Sequence, residues 1–164
     1  MSSIILSVIT VIWFFTGLFF SHQRGAQTYE TSIRLARWLC EFAGRAKIEA
    51  LSDIEAVNIF LRRGAHCFIF MVFAALMCTS LMLLKNQHSW KIPPWAGFIF
   101  SLICCWADEA SKIWVDGRHF SWFDTALNAA GCLMGGIIYI LIRFIYLKRT
   151  KKRQKTLRPD TGNQ

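Results

Sequence analysis

The chain has 164 residues, of which 54% are hydrophobic, 15% aromatic and only 18% charged, and its formal net charge is +9. A soluble domain of this length has too little interior to bury so much apolar surface, and the positive charge does not indicate nucleic-acid binding because no recognition module accompanies it. The apolar residues form long uncharged runs, which predicts an all-α integral membrane protein, a bundle of four transmembrane helices.

The first apolar run predicts a retained transmembrane helix. Residues 1–23 contain no Lys, Arg, Asp or Glu, and the segment IILSVITVIWFFTGLFF is long enough to cross the hydrocarbon core. A cleaved signal peptide would instead have a basic start, a shorter apolar core and a small-residue cleavage site.

The segment between the first and second spans predicts an amphipathic helix on the membrane surface, followed by a second short helix. Apolar residues recur there at helical spacing between charged ones. They are Leu35, Trp38, Leu39, Phe42, Ala43 and Ala46. The second helix begins at Ser52, which forms a capping-box pattern with Glu55, and it continues into the second span.

Three further apolar runs predict the remaining spans. The second covers Cys67 to Leu84, the third begins near Pro94 and continues through SLICCW, and the fourth covers Thr125 to about Leu147. The third is the least regular, because Pro93 and Pro94 start a helix but do not continue one. Its end also carries two adjacent carboxylates.

The basic C-terminal segment predicts the orientation. We divide the chain into a transmembrane domain, residues 1–147, and a basic cytoplasmic tail, residues 148–164. Seven Lys and Arg residues in the tail follow the last span, as juxtamembrane anchors to anionic lipid do. With four spans, the N-terminus then lies in the cytoplasm as well.

Neither a metal nor a cofactor is predicted. The six cysteines lie mostly inside the predicted spans and have no metal-ligand spacing, so we interpret them as small apolar residues. His66 with carboxylates at irregular spacing is a poor zinc set. The chain also has no C-x-x-C, G-x-S-x-G or phosphate loop.

Polar residues are predicted to converge on one membrane face. Consecutive spans run antiparallel, so the start of the second, the end of the third and the start of the fourth lie on the same side, which is extracytoplasmic in the predicted orientation. Polar groups at membrane depth need a partner or a function. The predicted ligand-binding residues are Arg63, His66, Asp108, Glu109, Arg118, Asp124 and Asn128.

One stripe of the fourth helix is predicted to face the bundle. Asp124, Asn128, Gly131 and Gly135 fall at i, i+4, i+7 and i+11. The last two form a G-x-x-x-G step, which lets a neighbouring helix come close. A purely structural alternative for Asp124 is a helix cap together with Ser121.

The chemistry of this polar set leaves two interpretations open. Glu109 or Asp108 with His66 fits an acid–base pair, and Arg118 with Arg63 fits the binding of a phosphate or carboxylate. The alternative is that these groups pair with one another and lock the helices together.

In combination, these residues resemble the VanZ-like membrane proteins over nearly the whole chain except the tail. The resemblance rests on the motifs FFSHQRGAQTYETS at Phe19 to Ser32, Arg62-Arg63-Gly-Ala-His66, Trp106-Ala-Asp108-Glu109-x-x-Lys112, Gly117-Arg118, and Asp124-x-x-x-Asn128-x-x-Gly131-x-x-x-Gly135. The family usually has Lys at Arg63, an aromatic hydroxyl at Phe70 and Gln at Lys112. The last departure places a cation beside Glu109 and argues against a free base there.

The resemblance implies a multi-pass protein of the bacterial inner (cytoplasmic) membrane. The polar residues that the family shares would correspond here to His66, Asp108, Glu109, Arg118, Asp124 and Asn128. The family's namesake is an accessory determinant of resistance to the glycopeptide teicoplanin. We therefore expect a non-enzymatic envelope protein that binds or modulates a membrane lipid, such as a lipid-linked cell-wall intermediate. The alternatives are an intramembrane hydrolase or transferase with Glu109 and His66 as acid and base, and a subunit that helps another membrane protein assemble.

Overall fold

The computed structural model of the chain describes residues 3–23, 25–45, 53–88 and 91–157, and these residues form helices without any strand. The predicted all-α class is therefore confirmed for the part described. The elements are α1 (Ser3–Ser21), α2 (Gly25–Arg45), α3 (Ile54–His88), α4 (Ala96–Ser111), a 3₁₀ turn (Lys112–Trp114) and α5 (Trp122–Leu157).

Among the described helices, three are long and apolar enough to cross a membrane, and the prediction of four such spans is wrong. The three are α1, the Ile54–Gln87 part of α3 and the Trp122–Thr150 part of α5. The predicted third span is α4, whose 16 residues extend about 24 Å, less than the roughly 30 Å of hydrocarbon. Its α-helix begins only after Pro93 and Pro94 and gives way to a 3₁₀ turn at Lys112.

Helices α1 and α3 pack antiparallel through polar contacts along their length. Thr10 Oγ1 and Ser80 Oγ lie 2.9 Å apart in a hydrogen bond, and Trp13 Nε1 donates to the carbonyl oxygen of Ile69 over 3.0 Å. Ser3 at the start of α1 is hydrogen-bonded to Gln87 at the end of α3. These bonds satisfy polar groups that lipid would leave without partners.

Helices α3 and α5 run parallel in the closest contact of the bundle. A Cβ atom on Gly131 would lie 2.2 Å from the carbonyl oxygen of Cys67, and one on Gly135 would lie 2.1 Å from that of Met71. Only glycine allows two backbones to approach so closely. The predicted inward orientation of the G-x-x-x-G step is therefore confirmed.

Helix α4 returns antiparallel between α3 and α5. A Cβ on Gly97, at its start, would lie 2.8 Å from Cα of Cys78, and Cys105 Sγ, near its end, approaches the carbonyl oxygen of Thr125 at 3.9 Å. The ends of α1 and α4 and the start of α5 therefore lie at one end of the bundle, which we call the site end. The start of α1 and the ends of α3 and α5 lie at the opposite end.

Helix α2 packs on α3 at the site end with one face left exposed. Ile33 and Ala36 are buried, whereas Leu35, Trp38 and Phe42 are at least half exposed. The two aromatic rings stack with their centroids 6.1 Å apart. This arrangement agrees with the predicted amphipathic helix.

The predicted short helix and second span form the single helix α3, as expected. The Asp53 side chain accepts hydrogen bonds from the N–H groups of Glu55 (2.9 Å) and Ala56 (3.3 Å) at its start. The predicted cap at Ser52 lies outside the described residues. At the other end of the chain, α5 continues past the predicted tail boundary at residue 148 to Leu157.

The core between the helices consists of aromatic and small residues. Phe70, Phe73, Ala74, Cys105 and Cys132 form one buried cluster. All six cysteines are free thiols, as expected for small apolar residues. The outward faces of the helices carry large apolar side chains, which suits contact with lipid.

Candidate functional site

A cavity of about 300 Å³ opens at the site end of the bundle. It is bounded by the first turns of α3 and α5, the last turn of α4 and the loop that precedes α5. Six of the seven predicted ligand-binding residues line it: Arg63, His66, Glu109, Arg118, Asp124 and Asn128. Asp108, the seventh, does not.

The cavity also includes residues outside the predicted ligand set. They are Ile59, Arg62, Lys112, Gly117, His119 and Leu127. Arg62 and Lys112 lie close to predicted site residues in the sequence motifs, so the sequence already indicated that they belong near the site. Ile59 and Leu127 are ordinary apolar helix residues in the sequence, and only their packing reveals them as part of the wall.

Glu109 and Lys112 form a buried ion pair at the floor of the cavity. Lys112 Nζ lies 2.5 Å from Glu109 Oε2, and their side chains are 6% and 1% exposed. The spacing of three residues across the junction of α4 with the 3₁₀ turn brings them together. Glu109 Oε1 has no hydrogen-bond partner among the described residues, so the carboxylate keeps one oxygen for another donor.

Asp124 and Arg63 form a second pair, nearer the surface. Arg63 Nε lies 3.3 Å from Asp124 Oδ1, and the guanidinium carbon lies 4.6 Å from the centre of the Phe123 ring. The N–H of Asp124 donates to Ser121 Oγ over 3.2 Å. Ser121 therefore caps α5, and the Asp124 side chain pairs with Arg63.

Arg118 extends into the cavity from the loop before α5. One of its terminal nitrogens donates to Thr28 Oγ1 over 2.9 Å, while its buried Nε has no acceptor among the described residues. Burial and then the neighbouring charge of Arg62 lower the pKa of Arg118. Among the described residues, Arg118 thus has no counter-charge in contact with it.

Asn128 supplies an unpaired amide to the wall. The residue is fully buried on the inward stripe of α5, and neither its oxygen nor its nitrogen has a hydrogen-bond partner in the described part of the chain. A buried amide without partners is costly. It therefore offers a donor and an acceptor to whatever occupies the cavity.

Asp108 lies behind the cavity, facing α1. It is 2% exposed, and its Oδ2 accepts a hydrogen bond from Ser21 Oγ over 3.0 Å. Together with His66 it lines a separate cavity of about 10 Å³, the size of one water molecule. His66 thus borders both cavities, whereas the two neighbouring carboxylates Asp108 and Glu109 face different ones.

The charges around the main cavity do not balance. Four cationic side chains line it, from Arg62, Arg63, Lys112 and Arg118, against the two carboxylates Glu109 and Asp124. Each carboxylate is in contact with one cation. Arg62 and Arg118 are therefore in excess, which favours an anion in the cavity. Within the described residues, no group of three or more His, Cys, Asp or Glu side chains is arranged to hold a metal ion.

Exposed apolar residues adjoin the cavity at the site end. Trp114 is 86% and Trp122 75% exposed, and they flank the loop that carries Arg118. Tryptophan side chains concentrate at the level of lipid headgroups. The cavity mouth is therefore expected near the boundary between lipid and water.

Comparison with known protein families gives one finding. The family model described as VanZ/LLP1 matches residues 6–143, a range that contains every residue of the cavity. No curated protein and no solved structure matches the chain.

Proposed function

The chain belongs to the VanZ/LLP1 family, and we propose that it binds the anionic headgroup of an envelope lipid in the cavity at the site end. The observation that carries this proposal is the excess of two arginines, Arg62 and Arg118, over the carboxylates that line the cavity. Guanidinium groups are the side chains best suited to phosphate and carboxylate oxygens. The cation-rich wall therefore favours a phosphate or carboxylate.

The position and size of the cavity support a lipid as the carrier of that anion. The flanking tryptophans Trp114 and Trp122 are typical of the headgroup level. A volume of about 300 Å³ lies at the small end of ligand pockets, which suits a headgroup whose acyl chains remain in the bilayer.

The distribution of charge supports the predicted orientation in a bacterial inner membrane. Six basic residues, Lys148, Arg149, Lys151, Lys152, Arg153 and Lys155, follow one another closely at the end of α5. The seven Lys and Arg residues between Ser21 and Ala65 are spread over a longer segment, which constrains orientation less. By the positive-inside rule, the opposite end of the bundle, with both termini, faces the cytoplasm. The cavity then faces outward, where lipid-linked cell-wall intermediates are used, and a contribution to teicoplanin resistance follows as part of this proposal.

The test is lipid retention by matched double variants. The wild-type chain and Arg62→Gln/Arg118→Gln are extracted in mild detergent, and co-purified lipids are identified by native mass spectrometry. We expect the variant to lose the anionic lipid at least about tenfold, because charge-assisted hydrogen bonds are lost. Arg34→Gln/Arg37→Gln, which removes two exposed arginines of α2 at the same end, should retain it. Equal retention by all three proteins would refute the proposal.

A second candidate function is intramembrane acid–base catalysis on such a lipid, and one observation favours it. His66 borders both the main cavity and the small one that contains Asp108. A water molecule there would link the carboxylate to the imidazole, and Asp108 would act as a positioning residue for His66. This arrangement assigns the imidazole rather than Glu109 as the base, because Lys112 already pairs with Glu109. A change in the mass of a bound lipid, abolished by His66→Gln, would support it.

A further inference from the structure

A further cavity, of about 60 Å³, lies at the opposite end of the bundle. We call it the second cavity, and the main cavity at the site end is the first. The last turns of α3 form one wall, the middle of α5 at Tyr139 and Arg143 forms the second, and the segment with Pro93 and Pro94 before α4 forms the third. The N–H of Ala96 donates to the carbonyl oxygen of Pro93 over 3.1 Å, so this segment ends in a turn that leads into α4. The cavity is separate from the first, because α3 and α5 run parallel from one end of the bundle to the other.

Two cations and no carboxylate line this second cavity. Lys85 comes from α3 and Arg143 from α5, and both side chains are partly buried. Neither has an ion-pair partner among the described residues. Asn86 adds an amide to the same wall. Two like charges brought together without a counter-ion repel each other, so an anion between them stabilises the arrangement.

None of the described segments around the second cavity supplies an acidic side chain that would neutralise this pair. Every acidic residue except Asp160 lies between Glu30 and Asp124 in the sequence. None of those residues belongs to the start of α1, the last turns of α3, the proline segment or the second half of α5. The described segments therefore leave Lys85 and Arg143 without a counter-ion.

The depth of the two cations points to a membrane lipid. Lys85 and Arg143 lie inside the apolar stretches Ile54–Gln87 and Trp122–Thr150, near their ends. An isolated cation at such a depth extends separately toward water. These two instead converge on one small cavity from different helices. Exposed Ile140 and Phe144, on either side of Arg143 along α5, offer an apolar surface for an acyl chain.

We propose that Lys85 and Arg143 bind a single phosphate group, carried by an anionic lipid of the leaflet opposite the first cavity. A volume of about 60 Å³ admits a phosphate group but not a sugar-bearing headgroup. The glycerol and acyl chains lie outside, along α5. This second site is independent of the function proposed for the first cavity.

The test measures binding of phosphatidylglycerol to the full-length protein in mixed detergent micelles, with phosphatidylcholine as the background lipid. Lys85→Gln/Arg143→Gln should weaken binding of one equivalent at least about tenfold, since two charge-assisted contacts are lost. The matched control is Lys148→Gln/Arg149→Gln. It removes the same two charge types at the same end, from exposed positions outside the cavity.

The outcomes are distinct. Equal weakening in both double variants would indicate diffuse surface charge, and no weakening in Lys85→Gln/Arg143→Gln would exclude the site; either result overturns the proposal. If that variant does not fold, Asn86→Asp decides the matter, because a carboxylate at the cavity must weaken anion binding. Unchanged binding by folded Asn86→Asp overturns the proposal.

Competition with millimolar inorganic phosphate distinguishes a lipid phosphate from free phosphate as the ligand of this cavity. Displacement of the lipid would show that the site also accepts free phosphate. Retention of the lipid would show that its acyl chains contribute to binding. Arg62→Gln/Arg118→Gln should bind this lipid equivalent as well as the wild type does, which distinguishes the second site from the first.

Discussion

At the scale of single residues, the buried ion pair of Glu109 and Lys112 allows a structural role of Glu109 to be distinguished from a catalytic one. Glu109→Gln removes the charge and leaves Lys112 unpaired at a site where both side chains are almost fully buried. We expect the free energy of unfolding to fall by about 3 kcal/mol, because an uncompensated buried charge is costly. Thermal denaturation in detergent measures this loss.

The double variant Glu109→Gln/Lys112→Gln is the control for this prediction, since it removes both charges and should recover most of the lost stability. A general acid or base would behave differently. Glu109→Gln would then keep its stability while the cellular function fell by roughly a hundredfold, and that result would contradict the structural role.

Two residues that depart from the pattern implied by the resemblance both form ion pairs. Arg63 and Lys112 are the two cations that contact the carboxylates of the cavity, Asp124 and Glu109. The sequence already indicated that Lys112 would neutralise Glu109. That Arg63 contacts Asp124 follows only from the parallel packing of α3 and α5.

At the scale of elements, the seam between α3 and α5 depends on the absence of side chains at two positions. Gly131→Ala would place a Cβ 2.2 Å from the carbonyl oxygen of Cys67, which belongs to the backbone and cannot rotate away. The two helices must then separate. We expect a loss of about 1–3 kcal/mol, measured as lower thermal stability in detergent, and Gly135→Ala should behave alike.

Gly64→Ala is the matched control on α3. An added Cβ at this position has no neighbour within 4 Å, and alanine favours a helix over glycine by up to about 1 kcal/mol. This variant should be neutral or more stable. If Gly131→Ala were as stable as Gly64→Ala, the close contact between α3 and α5 would be wrong.

At the scale of the whole molecule, the ends of the bundle predict the results of topology reporters. A reporter that is active only in the cytoplasm should work when it is fused after Gln164 or inserted at Asn86, because both belong to the end with the basic residues. It should fail at Gly117, in the loop at the site end. Fluorescence or enzyme activity of the three fusions measures this.

The opposite pattern, activity at Gly117 alone, would place the first cavity in the cytoplasm. The proposal of an outward-facing cell-wall lipid site would then be refuted. The second site would still bind an anionic lipid, now in the outer leaflet, because this binding depends on charge and packing rather than on orientation.

The sequence by itself determined the fold class, the family and the convergence of polar residues. A helix hydrogen-bonds its backbone groups within one segment, so an uninterrupted apolar run about as long as the bilayer is thick predicts a helix. The family predicted from short motifs is confirmed by the match over residues 6–143. The approximate position of the site followed from the alternating direction of successive helices, which does not depend on side-chain packing. This prediction holds although α4 is shorter than a membrane-spanning helix.

Only the tertiary structure decided which neighbouring residues share a cavity. Asp108 and Glu109 are adjacent in sequence, but successive residues of an α-helix point about 100° apart, so one carboxylate faces α1 and the other the main cavity. The sequence assigned both to one site. It also gave no sign that Lys85 and Arg143, 58 positions apart, line a common cavity. Whether residues of α3 and α5 line a common cavity depends on how closely the two helices approach. That distance is set by the contact of Gly131 and Gly135 with the facing backbone of α3.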